Sequence, residues 1–231
     1  LVLESQEASP TFRLPSGNYV VHVAWGLAGA VKRIGLEEGA RTTDKIALNA
    51  GGVRVDGQLG EAQINGARLT INVFVPDGNN PEGKVVARNL RGGETVRLPE
   101  GTYHIVSTYL DITGTGAAAA ATSDAPLSNS VVSTDVRVQT GKVTVATLRH
   151  RAAQITLKLV GAPGAEAMAN TSFTILTPGG DVLRELIGAF PSLILAEGEY
   201  VAIARHDGRT FQSTFRVETA ADRDVEILAR N

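Results

Sequence analysis

One six-residue pattern occurs three times in the chain, and its middle copy is Leu98-Pro99-Glu100-Gly101-Thr102-Tyr103. The other copies are Leu14-Pro15-Ser16-Gly17-Asn18-Tyr19 and Leu195-Ala196-Glu197-Gly198-Glu199-Tyr200. In each copy the leucine ends one strand at an inward-facing position. The glycine allows a tight turn with a positive φ, and the tyrosine starts the next strand two residues later. Each copy therefore predicts a turn that joins two β-strands.

The tyrosine in this pattern is typical of the tyrosine corner of Greek-key β-sandwiches. There the ring is buried and its hydroxyl bonds back to the preceding loop, so a structural role is favoured over ligand-binding tyrosines. The predicted corner residues are Leu14, Gly17, Tyr19, Leu98, Gly101, Tyr103, Leu195, Gly198 and Tyr200.

Composition agrees with many short strands joined by tight turns. Among 231 residues there are 25 glycines, and aromatic residues make up 5%. The net charge of −2 gives no general attraction to nucleic acid. The absence of cysteine excludes disulfides, thiolate zinc sites and cysteine nucleophiles. No run of 18 apolar residues is present, so we expect no membrane span.

The corner glycines are separated by 84 and 97 residues, which indicates three tandem units. We predict all-β, immunoglobulin-like or transthyretin-like Greek-key β-sandwich domains at residues 50–149 and 150–231. Residues 1–49 are predicted to be a partial sandwich that lacks its opening strands but keeps strands near residues 1–4 and 45–48. The alanine-rich stretch at 111–130 has no strand pattern and is expected to be a long, mobile loop or an extended hairpin. An incomplete sandwich exposes strand edges, so strand exchange or oligomerisation through it is expected.

The corner pattern, followed by a strand, a hairpin and a final strand, resembles the carboxypeptidase-regulatory-like (transthyretin-like) β-sandwich modules of bacterial envelope proteins. The run from Gly188-Ala189-Phe190-Pro191 to His206-Asp207-Gly208 also resembles exported repeat proteins of Gram-negative bacteria. The resemblance covers nearly the whole chain and implies an exported, non-catalytic module. It carries over no catalytic residue.

A ring follows each corner glycine after eight residues, at the end of the same predicted strand. These residues are Trp25, Tyr109 and His206. If exposed, they would form one stacking platform per repeat for sugar ligands. Their even offset from the corner tyrosines places them on the core face instead, where they would cap the end of each sandwich.

Other candidate sites are weaker. The four histidines share no repeat position and lack ligand spacing for zinc, so we expect no metal site or cofactor. Residues 77–82 carry oxygen ligands but not the EF-hand pattern, which favours a plain turn and leaves open a calcium ion at a domain joint. Arg149-His150-Arg151 is predicted to be a solvated linker, salt-bridged to the next domain, with anion binding as the alternative.

No nucleophile elbow, Walker loop or dinucleotide-binding loop is present, so we expect no catalysis. The sequence favours a structural scaffold or a protein-binding, adhesive module in the periplasm or at the cell surface. The alternative is a carbohydrate-binding module that uses the three rings. The expected partner is an envelope protein or a polysaccharide.

Overall fold

A computed structural model describes residues 1–111 and 128–230, and these are almost entirely β-structure. The predicted all-β fold with tandem β-sandwiches is confirmed. We call residues 1–49, 50–149 and 150–231 the first, second and third units. The strands are β1 (Gly17–Trp25), β2 (Ala28–Leu36), β3 (Ala50–Leu59), β4 (Ala62–Gln63), β5 (Leu69–Asp77), β6 (Asn80–Arg91), β7 (Thr95–Pro99), β8 (Gly101–Tyr109), β9 (Val131–Val138), β10 (Val143–His150), β11 (Ala152–Val160), β12 (Ser172–Leu176), β13 (Val182–Ile187), β14 (Ser192–Ala196), β15 (Gly198–His206), β16 (Arg209–Val217) and β17 (Arg223–Leu228).

The third unit is a seven-stranded sandwich of two sheets. One sheet has the order β14-β11-β17, in which β11 pairs antiparallel with β14 and parallel with β17. The other has the order β13-β12-β15-β16 and is antiparallel throughout. Alternating residues of the two sheets, such as Ile155, Leu157 and Phe173, are fully buried between them. This is the inward-facing alternation that a two-layered β-fold requires.

Seven of the eight strands of the second unit repeat this topology. Its β3 lies between β7 and β10, as β11 lies between β14 and β17. Its other sheet, β6-β5-β8-β9, corresponds to β13-β12-β15-β16. The short β4 and a single 3₁₀ turn, Gly66–Arg68, connect β3 to β5. The two units are therefore copies of one structural repeat.

The first unit contains only the counterpart of β15 and β16. Its β1 and β2 form an isolated two-stranded sheet in which Tyr19 lies opposite Ile34. The predicted strands near residues 1–4 and 45–48 are wrong, since neither segment forms a strand. In the third unit the counterparts of these segments, β13 and β17, bond only to β12 and β11. The described part of the first unit has no strand equivalent to β12 or β11, so residues 1–4 and 45–48 have no neighbouring strand to pair with.

Each corner tyrosine makes the expected hydrogen bond. The hydroxyls of Tyr19, Tyr103 and Tyr200 donate to the carbonyl oxygen four residues upstream, at 2.9, 2.9 and 2.8 Å. Tyr103 and Tyr200 are buried at 5% and 6% exposure, but Tyr19 is only half-buried. The positive φ expected at the glycines occurs at Gly17 and Gly198, at +154° and +157°, and not at Gly101. The corner at Gly101 therefore closes without that backbone conformation.

Candidate functional site

Within the described residues, the candidate functional site is the junction between the second and third units. Arg151 is the single residue between the end of β10 at His150 and the start of β11 at Ala152. Ala152 and Ile194, both in the third unit, are 0% and 1% exposed and pack within the hydrophobic core of the second. The two sandwiches therefore share apolar core residues and are not joined by a flexible linker.

Side chains from the second unit bond to the edge strand of the third. The Ile194 amide donates to Asp111 Oδ2 at 3.2 Å, and the Ala196 amide donates to Asn129 Oδ1 at 2.7 Å. Both amides lie in β14, which pairs with β11 on one side only. Asn129 Nδ2 also donates to the hydroxyl of Tyr200 at 2.9 Å. These contacts cover a strand edge that would otherwise present unpaired backbone groups.

His150 is the most deeply buried titratable group at the junction, with no solvent exposure. Its Nε2 lies 3.0 Å from Ser107 Oγ and its Nδ1 lies 3.0 Å from Ser130 Oγ. Burial lowers the pKa of His150 to about 4, because the charged imidazolium would lose its hydration. A backbone hydrogen bond with Ser130 opposes that shift. The ring is therefore neutral at pH 7, and each serine hydroxyl can serve whichever nitrogen needs a donor or an acceptor.

The linker residue Arg151 forms an ion pair with Glu197 of the third unit. The guanidinium makes two hydrogen bonds of 3.0 Å to the carboxylate, which also accepts from the Thr219 hydroxyl at 2.6 Å. Two hydrogen bonds lower the pKa of the Glu197 carboxyl, and the one from Thr219 has a larger effect than the one from Arg151. The predicted salt bridge at this linker is confirmed. The prediction that the whole linker is solvated is wrong, because His150 is buried.

The junction between the first and second units uses equivalent positions. The Leu27 amide donates at 3.0 Å to the carbonyl of Arg97, which occupies in β7 the position that Ile194 has in β14. The Glu100 amide donates to the Asn49 carbonyl just as the Glu197 amide donates to the Arg151 carbonyl. In both junctions the end of one unit's corner hairpin therefore contacts the edge strand of the next unit.

The three repeated rings end β1, β8 and β15 but have different surroundings. Trp25 is 43% exposed, with the Arg97 guanidinium 5.0 Å from the ring centroid. Tyr109 is 5% exposed and is covered by Arg68, 4.8 Å from its centroid. His206 is partly buried, with Nδ1 3.4 Å from the hydroxyl of Thr171. The structure thus places the rings at equivalent strand ends without one shared, exposed platform.

Several residues at the junction were not predicted from the sequence. Asp111, Asn129 and Ser130 lie in the stretch interpreted as a long loop, and Asp111 and Ser130 are buried. Most of that loop, residues 112–127, lies outside the described residues. The sequence shows polar residues at both ends of an alanine-rich insertion. That pattern does not indicate which groups these residues would hydrogen-bond.

Within residues 1–111 and 128–230, no group of three or more histidine, aspartate or glutamate side chains could hold a metal ion. Over the same residues, no helix is long and apolar enough to cross a membrane. Ser107 and His150 lie at the distance of a nucleophile–base pair, but both are 0% exposed. A substrate could not reach that hydroxyl without opening the junction, so the geometry fits a structural hydrogen bond.

Residues 154–229 match the model of the Rhizobiales growth-associated tandem repeat domain. This span covers most of the third unit. The match is to a tandem repeat, whereas membership of the carboxypeptidase-regulatory-like family stays a prediction. No curated protein matches the chain in sequence.

Three solved structures illustrate the structural likenesses. The Bacillus anthracis TIE protein is 14% identical over 94% of this chain, with a TM-score of 0.33, and the chain spans 42% of its length. GBS52, the minor pilin of Streptococcus agalactiae, is 13% identical over 79% of this chain and 97% of its own, with a TM-score of 0.36. The shaft pilin SpaA of Lactobacillus rhamnosus GG is 10% identical over 79% of this chain and 98% of its own, with a TM-score of 0.34. At these identities the likeness concerns the fold alone.

Proposed function

We propose that this chain is a non-catalytic spacer segment of an exported envelope protein, in which rigid junctions hold consecutive β-sandwich repeats at fixed relative orientations. The observation that carries this proposal is the second junction. A one-residue linker, shared core residues and backbone hydrogen bonds to the side chains of Asp111 and Asn129 all restrict movement of one sandwich against the next. The match of residues 154–229 to a tandem repeat domain supports an array of such units.

The rigidity can be measured by distances between spin labels. The chain has no cysteine, so Arg88→Cys in β6 and Gln212→Cys in β16 would label one exposed position in each complete unit. Double electron–electron resonance should give one narrow distance distribution. A distribution as broad as that of two freely jointed domains would overturn the proposal.

A single side chain then tests the junction itself. Asn129→Ala should broaden the distribution, because Ala196 loses its acceptor and Tyr200 loses a donor. The variant should also lower the free energy of unfolding by about 1–2 kcal/mol. Asn80→Ala is the matched control, since Asn80 is exposed and bonds only the local Glu82 amide. Equal effects of the two variants would contradict a specific role for Asn129.

The proposed partner is an envelope protein or a polysaccharide, and the proposed location is the periplasm or the cell surface. Co-sedimentation with peptidoglycan sacculi, outer-membrane vesicles and a neutral polysaccharide, at low and high salt, tests these proposals. Binding to one fraction identifies the class of partner. Binding to none would remove the glycan partner and direct the search to proteins by crosslinking.

Carbohydrate binding is the second candidate, and one observation favours it at Trp25. This ring is 43% exposed and its neighbouring Arg97 could donate hydrogen bonds to sugar hydroxyls. Trp25 is the only tryptophan, so its fluorescence reports directly on this position. A change in emission on titration with an oligosaccharide, lost in Arg97→Ala, would support stacking. An emission spectrum that ignores every sugar tested would exclude it there.

A further inference from the structure

Phe190 is an exposed aromatic ring of the third unit that takes no part in the core. It lies between β13 and β14 and is 57% exposed. The Lys158 ammonium lies over the ring, 5.6 Å from its centroid, and forms an ion pair with Asp224. We call Phe190, Lys158 and Asp224 the third-unit platform. It lies on the outer side of the sheet β14-β11-β17, because Lys158 and Asp224 alternate with buried core residues of β11 and β17.

Lys158 and Asp224 place a hydrogen-bond donor and an acceptor beside this ring. An ammonium has three donors, so two remain after the bond from Lys158 to Asp224. Asp224 is more than half exposed, and its carboxylate has further acceptor positions. The hydroxyls of Thr156 and Ser192, 2.9 Å apart, extend the polar surface along the same sheet. Ligand sites use this combination of an aromatic ring for contact and a few placed polar groups for orientation.

The fold does not require the platform, because the second unit builds the same sheet without it. The register of β3 with β7 and β10 matches that of β11 with β14 and β17. In the second unit, the positions of the ring, the ammonium and the carboxylate are therefore occupied by Gly93, Asp56 and Val145. An exposed ion pair also adds little to folding stability. These three side chains therefore point to a role other than folding.

The charge and chemistry of the platform favour a neutral sugar chain as the ligand. Glu226 lies opposite Lys158 in the register of β17, so two carboxylates accompany one ammonium and disfavour an anionic ligand. The ring stands among polar side chains, whereas the centre of a protein interface is depleted of charged residues. A β-linked pyranose with equatorial hydroxyls has a flat C–H face that can stack on a ring. Its rim of hydroxyls both donates and accepts hydrogen bonds, as Lys158 and Asp224 require.

We propose that the third-unit platform binds a neutral, β-linked polysaccharide, with one sugar ring stacked on Phe190 and neighbouring hydroxyls bonded to Lys158 and Asp224. This assignment rests on the proposed polysaccharide partner and names its site, but it does not depend on the spacer function. It is also separate from the sugar site considered at Trp25, which ends β1 in the first unit. An open platform makes few contacts with each chain, so binding is weak and needs a method that detects weak complexes.

Titration of the ¹⁵N-labelled full chain with cellohexaose and with chitohexaose, followed by NMR, tests the assignment. With at least one of these neutral oligosaccharides, the backbone amide signals of the three platform residues should shift, and those of their counterparts in the second unit should not. Phe190→Ala should weaken binding about tenfold, because the stacked ring is lost. Phe12→Ala is the matched control, since Phe12 is also exposed, at 43%, and lies in the first unit. The control should bind as the wild type does.

Two results of the titration would overturn the assignment. One is the absence of any shift of the platform signals with either oligosaccharide. The other is an affinity that Phe190→Ala leaves unchanged, or shifts centred on Trp25, which would place the sugar elsewhere on the chain. Co-sedimentation with a neutral polysaccharide that persists in Phe190→Ala would keep the proposed partner and remove this site. Spin-label distances between the second and third units are measured without a ligand, so the spacer function is tested separately.

Discussion

Protonation of His150 should weaken the junction between the second and third units at acidic pH. The pKa of His150 is lowered to about 4 in the folded protein from its ordinary value of 6.5. Between these values the unfolded chain binds a proton that the folded chain excludes, so unfolding becomes easier as the pH falls. The stabilisation is complete above pH 6.5 and is lost as the pH falls toward 4. A difference of about 2.5 pH units corresponds to about 3 kcal/mol.

The assay is urea denaturation at a series of pH values from 7 to 4, with the wild type compared with His150→Gln. Glutamine is uncharged over this range and can bond at least one of Ser107 and Ser130. Carboxylates also change protonation in acid, but they do so in both proteins, so their contributions to the free energy of unfolding cancel in the difference. The wild type should therefore lose about 3 kcal/mol relative to the variant between pH 6.5 and 4.

If the difference in free energy of unfolding between the wild type and His150→Gln stays constant with pH, this reasoning is refuted. A constant difference would mean that the imidazolium is tolerated at the junction or that His150 is accessible to water in the folded state. The ¹⁵N chemical shifts of the two ring nitrogens would show which, since they report the protonation state of this histidine directly.

Two further predictions compare matched positions in different units. Tyr103→Phe should lower the free energy of unfolding by about 1 kcal/mol, because the buried Tyr103 hydroxyl bonds to a carbonyl oxygen. Tyr19→Phe, at the half-buried corner, should lower it by under about 0.5 kcal/mol. Chemical denaturation measures both values, and equal losses would contradict the reasoning. Gly26→Ala should release the first hairpin from the second unit, since the new Cβ would lie 2.5 Å from Cβ of Arg97, and tryptophan fluorescence should shift to the red. Gly39→Ala is its control, because Gly39 has a similar φ, +72° against +64° at Gly26, and its new Cβ would have no atom within 4 Å apart from its chain neighbours. The same fluorescence shift in both variants would make backbone strain the cause.

The repeated corners made the fold predictable. A leucine, a glycine and a tyrosine at fixed spacing specify a local turn, so the positions of β1, β8 and β15 follow from residues within a few places of one another. The alternation around Ile155 and Leu157 likewise indicates a buried strand without knowledge of its neighbours.

The prediction of strands at residues 1–4 and 45–48 was wrong for a reason that no local pattern contains. A strand is stable only with a hydrogen-bonded neighbour, and the described part of the first unit has no strand for these segments to pair with. Burial of His150 was missed in the same way, because it depends on Ser107 and Ser130 meeting the ring from elsewhere in the chain. The ring residues were placed correctly at strand ends, but the sequence did not show that Arg68 would cover Tyr109.

The core residues shared between the second and third units have a mechanical consequence. Ala152 and Ile194 belong to the third unit by sequence and to the core of the second by contact. Loss of the third unit would expose that end of the second to water, so the unfolding of the two is energetically coupled, as in a one-dimensional array with strong nearest-neighbour terms. When such an array is stretched by its ends, we expect the two units to yield within one cooperative event, and a force-extension trace should show one large step in place of two separate ones.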